Sequence, residues 1–127
     1  MKLSRKSRVM IFLHIKNEKE LLSLTEAVVS AIDGKQAEIG LLTNLVKYHG
    51  QNFYTKMVIE KGEYSALLIE QKPMTMILSE LDLRLVLAQL EVFADPTKTF
   101  KSAPPELVIK DNKVALCLNY KDMMSIN

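Results

Sequence analysis

The sequence predicts an α+β fold: one domain with a four- to five-stranded, mainly antiparallel sheet and two main helices packed on it. Three observations carry that expectation. A continuous apolar run, Val9, Met10, Ile11, Phe12 and Leu13, has the character of a strand covered on both faces, hence a central one. Two segments, 17–33 and 79–94, repeat their apolar residues at three and four positions and begin with capping residues. Two further segments, 53–71 and 107–120, place β-branched and aromatic residues around turn-forming pairs. The order strand, helix, hairpin, helix, hairpin leaves little room for the long crossovers of a parallel sheet.

The first helix starts at Asn17, whose side chain can accept from first-turn N–H groups while Glu20 reaches back. Leu21, Leu24, Val28 and Ile32 share one face, and Gly34 supplies a left-handed cap. Between 35 and 52, Ile39, Leu41, Leu42, Leu45 and Val46 suggest a short helix closed by His49 and Gly50. Lys61-Gly62 reads as the tight turn of a hairpin over 53–71, Gly62 providing a positive φ. On its first strand Phe53, Thr55, Met57 and Ile59 form the more apolar face and point inward.

Pro73 interrupts the pattern. A short strand at 74–78 then leads into the second helix, where Ser79 and Asp82 resemble a capping box. Leu78, Leu81, Leu85, Ala88 and Val92 form its expected core stripe. Leu83, Leu87 and Leu90 fall off that stripe, which makes the helix apolar most of the way round. A crossover at 95–105 holds Pro96, Pro104 and Pro105. The last hairpin turns at Asp111-Asn112, with Val114, Leu116, Leu118 and Tyr120 on one face and Cys117 on the other.

Composition narrows the functions. With 48% apolar and 25% charged residues among 127, the chain is neither a disordered tail nor a fibre. One cysteine excludes a disulfide framework, and two histidines without a His-Glu-x-x-His or Cys-x-x-Cys pattern argue against a metal site. The four glycines stand singly, so no phosphate-cradling loop can be written. Nucleophilic catalysis would require Cys117 with His14 or His49, and a half-buried strand thiol explains Cys117 as well; no Gly-x-Ser-x-Gly elbow supports a serine nucleophile. The acid pairs Glu18/Glu20 and Glu80/Asp82 sit at helix starts, and Glu60/Glu63 brackets a turn. The expected protein is therefore not an enzyme and carries no cofactor.

The formal charge of +2 conceals an asymmetry. Lys2, Arg5, Lys6 and Arg8 make residues 1–8 a basic arm, which leaves 9–127, the α+β domain, slightly acidic. The arm and the following apolar stretch superficially resemble a signal peptide, but the stretch contains His14 and runs into Lys16 without a small-residue cleavage site. No run reaches the length of a membrane span, and the expected location is the cytoplasm.

Two functions follow as expectations. The first is a small regulatory protein that binds nucleic acid, single-stranded RNA rather than duplex DNA. Lys2, Arg5, Lys6 and Arg8 would hold phosphates, Lys56 and Lys61 would extend the patch, and Tyr54 would stack on bases. The second is a protein–protein interaction module, an inhibitor or homodimeric adaptor, using the leucine excess over 78–92 and the tail methionines Met123 and Met124.

Overall fold

The computed structural model describes residues 10–39, 45–48, 51–53, 56–99 and 102–121, the segments 45–48 and 51–53 by backbone alone. They form β1 (Met10–Ile15), α1 (Glu18–Ile32), β2 (Ala37–Ile39), β3 (Leu45–Tyr48), β4 (Gln51–Phe53), β5 (Met57–Lys61), β6 (Ala66–Leu68), β7 (Met74–Leu78), α2 (Glu80–Ala94), β8 (Glu106–Ile109) and β9 (Asn112–Tyr120). All strands join one sheet, in the order β2-β5-β7-β6-β8-β9-β1-β3-β4. The seven strands from β2 to β1 make a curled half-barrel. The β3–β4 hairpin extends it beyond β1.

This corrects the expected sheet of four to five mainly antiparallel strands. The sheet is larger, and it is mixed: β1 runs parallel to β9, β5 to β7 and β6 to β8. The hairpin expected over 53–71 does not form. β7 inserts between β5 and β6, so the chain leaving β5 returns as β6 one strand away and then fills the gap as β7. Gly62 is needed for closeness rather than for a positive φ. Its N–H donates to the Leu78 carbonyl at 3.0 Å, and a Cβ there would run into Ile77 Cγ2. The short helix expected within 35–52 is replaced, where the chain is described, by β2, β3 and β4.

Local signals are realised closely. Asn17 Oδ1 accepts from Glu20 N–H at 2.9 Å, and Glu20 in turn accepts from Lys16 N–H, one residue before the expected donor. α1 ends in a Schellman motif: Gly34 N–H donates to Ala31 O and Lys35 N–H to Ser30 O, with Gly34 at φ 88°. The β8–β9 hairpin forms in the expected place with its turn one residue earlier. Ile109 faces Asn112, so Lys110 and Asp111 take the two positive-φ positions.

Strand alternation sorts the sheet into two faces. One carries Ile11, Leu13 and Ile15 of β1, Met57 and Ile59 of β5, Met74, Met76 and Leu78 of β7, and Val114, Leu116, Leu118 and Tyr120 of β9. All are buried in one cluster with both helices. α1 and α2 pack against each other over this face, and the Phe93 ring lies 5.4 Å from that of Tyr120. The inward face expected for β5 is thus correct at Met57 and Ile59, with β1 in the sheet interior.

Candidate interaction surface

α2 carries the surface that stands out. Its buried residues are Leu83, Val86 and Leu90, with Leu87 and Phe93 packed against the core. At about 100° per residue, the stripe Leu81, Leu85, Ala88 and Val92 lies roughly 160° around the helix from them. The structure therefore reverses the expected stripe: Leu81 is 69% exposed, and Leu85, Ala88 and Val92 are half-buried. The helix has two opposed apolar faces, and the core uses the other one.

The α2 N-terminus is anchored by a residue distant in the chain. Ser79 Oγ caps the helix by accepting from Asp82 N–H at 3.2 Å. The Asp82 carboxylate does not return to Ser79 N–H, as a closed capping box would have it. It accepts from Ser65 Oγ at 2.5 Å, and Ser79 N–H donates to Ser65 Oγ at 3.0 Å. Ser65 is buried, and its carbonyl accepts from Val108 N–H. One serine, just before β6, thus ties the start of α2 to β8. Asp82, Leu85, Pro104, Pro105 and Glu106 then line a cleft of about 450 Å³ along one flank of the outward stripe.

The other flank carries charge. Arg84 donates from both Nε and Nη2 to Glu80 Oε2, at 3.1 and 3.0 Å, and Lys61 Nζ lies 3.8 Å from the same carboxylate. Hydrogen bonding and the charge of Arg84, then the charge of Lys61, hold the Glu80 carboxyl below its ordinary pKa. Two cations meet one anion there. One turn from the far end, Glu91 is exposed and makes no salt bridge among the described residues. α1 adds Leu22 and Val29, 59% and 43% exposed, on the side away from its buried residues. Three of the exposed large apolar side chains among the described residues thus belong to the helices, the others being Met10 and Tyr64.

Of the residues expected to bind nucleic acid, Lys2, Arg5, Lys6, Arg8 and Tyr54 lie outside the described residues. Lys56 is exposed just before β5 and Lys61 stands at its end, about 17 Å along the strand at ~3.3 Å per residue. Lys61 is held by the Ile32 carbonyl at 3.1 Å and by Glu80. The tail methionines and His49 also lie outside the described residues.

His14 and Cys117 occupy the sheet face away from the helices. His14 faces Asn119 across the β1–β9 pair, with Asn119 Nδ2 at 3.1 Å from His14 Nδ1. Cys117 Sγ sits 3.6 Å from Met10 Sδ. Among the described residues no three His, Cys, Asp or Glu side chains gather as metal ligands. No helix among them is long and apolar enough to cross a membrane.

The chain matches no known protein-family model, and neither a curated protein nor a solved structure is similar to it.

Proposed function

We propose that this protein is a non-enzymatic interaction module that binds protein through the outward face of its helix layer, centred on α2. The observation that carries this reading is the second apolar stripe, Leu81, Leu85, Ala88 and Val92, set opposite the face α2 buries. A stripe with this spacing is the seam one helix offers to another. An isolated exposed leucine is ordinary; an exposed one continued by three half-buried apolar residues along a helix is a patch. Leu22 and Val29 are exposed on the neighbouring helix α1.

The test is a photo-reactive amino acid placed at position 81 and, separately, at position 10, where Met10 is 39% exposed on the sheet face away from the helices. Irradiation in cell extract should give protein adducts from position 81, abolished when Leu85 and Val92 are both changed to Lys, and few from position 10. Equal adduct yields from both positions, or none, would overturn the reading.

A second reading, a protein that binds single-stranded nucleic acid along residues 1–8, draws on the four cations there and on one ring pair. Phe12 and His14, on the strand that follows the basic run, stack with centroids 6.3 Å apart. A salt titration with single-stranded RNA should then show a log–log slope of about −2 to −3 for three or four phosphate contacts. No binding at low salt would remove this reading.

A further inference from the structure

Resting on the interaction reading, we infer that the partner of this face is a second copy of the same chain, docked with the two α2 helices antiparallel. The spacing 81, 85, 88, 92 alternates four, three and four, the d-a-d-a pattern of a two-heptad seam. An antiparallel pair sets Leu81 against Val92 of the second copy and Leu85 against Ala88. Each layer then combines a larger with a smaller residue, and symmetry repeats each layer once.

Charge selects this partner and this direction. In the antiparallel register Arg84 of each copy meets Glu91 of the other, giving two opposite-charge pairs on one flank. A parallel pair would instead set Arg84 beside Gln89 and leave Glu91 with no cation. Arg84 is already held at the flank by Glu80, so less side-chain freedom is lost on docking. The cation-rich cluster of Lys61, Arg84 and Glu80 marks the start of α2, and Glu91 lies near its end. The surface is thus complementary to itself when turned through 180°, and the helix dipoles oppose each other favourably.

The test is sedimentation equilibrium of the full chain from about 10 µM to about 1 mM, the range in which a weak dimer is detected. The wild type should dimerise. Arg84→Glu and Glu91→Arg should each raise Kd at least about tenfold, and the double swap should restore it to within about threefold. Circular dichroism melts of each variant identify any that fails to fold, and Arg84→Gln with Glu91→Gln then serves as the milder pair.

A monomer throughout the range overturns the inference. So does a dimer indifferent to both substitutions, or one that the double swap leaves dissociated. If the wild type is monomeric while position 81 still gives adducts that the Leu85 and Val92 substitutions abolish, the homodimer fails and the interaction reading stands. Absence of both fails both.

Discussion

The two helices differ in how they use the same length. Each has 15 residues and each is capped by a polar side chain, Asn17 for α1 and Ser79 for α2. α1 buries six residues along one face: Glu20, Leu21, Leu24, Ala27, Val28 and Ala31. α2 is the richer in large apolar residues yet buries three, Leu83, Val86 and Leu90. The core of this chain therefore uses most of the apolar side chains of α1, Leu22 and Val29 excepted, and leaves a larger surplus on α2. An apolar surplus arranged as a stripe opposite the buried face is what a helix needs to serve a core on one side and a partner on the other.

Substitutions on the two faces of α2 should separate most widely. Leu83→Ala and Leu90→Ala remove fully buried side chains and should each cost about 2–5 kcal/mol in urea unfolding. Leu24→Ala on α1 should fall in the same range. Leu81→Ala should change monomer stability by less than about 0.5 kcal/mol, since that side chain is mostly exposed. Equal losses at positions 81 and 83 would mean that both faces of α2 serve the core.

The helix starts should differ next. α1 is capped locally, so Asn17→Ala should cost about 0.5–2 kcal/mol. α2 depends on a distant residue. Ser65→Ala removes one hydrogen bond to the Asp82 carboxylate and another from Ser79 N–H, and should cost about 1–3 kcal/mol. Hydrogen exchange should then quicken at the first turn of α2 and leave α1 unchanged. If α1 and α2 loosen together, Ser65 is not the anchor of the second helix.

The smallest effect concerns acid. The Glu80 carboxyl is depressed by Arg84 and Lys61, so its contribution is fully present above its ordinary value of 4.5. It is lost as the pH falls through the lower, folded value. Glu80→Gln should therefore lower stability slightly above about pH 4.5, the difference from wild type closing as the pH falls through the folded value, so that the variant's acid limb is flatter. A difference that persists undiminished at acid pH would contradict the pairing.

What could be read from the sequence was what the chain decides locally. Asn17, Ser79 and Gly34 act within a few residues of themselves, and both helices begin and end within a residue or so of the expected limits. The alternation of Met57 and Ile59, or of Val114, Leu116 and Leu118, likewise needs no distant partner to be seen. Strand pairing is different. Lys61-Gly62 looks like a hairpin turn because glycine often means one, yet the strand beside β5 comes from 74–78, after an intervening strand. The parallel neighbours of β1, β5 and β6 were hidden for the same reason.

The rotation of α2 was hidden for another. When a helix is apolar on two sides, periodicity finds both stripes and cannot say which is inside. The burial of Leu83, Val86 and Leu90 against strands far apart in the chain distinguishes them. The proposed interaction surface was thus visible as a leucine excess and not as a location. The basic residues expected to hold phosphates, Lys2, Arg5, Lys6 and Arg8, were legible as a charge run, and of the patch expected beside them the structure places only Lys56 and Lys61, at opposite ends of one strand.

Whether one face of α2 serves the fold and the other a partner is decided by Leu81→Lys with two readouts on one preparation. Urea unfolding, at a concentration where the protein is monomeric, should move by less than about 0.5 kcal/mol. Self-association by sedimentation should weaken by at least about tenfold, as a charge placed in an apolar seam requires. Loss of several kcal/mol of monomer stability with association unchanged would put Leu81 in the core and contradict the account.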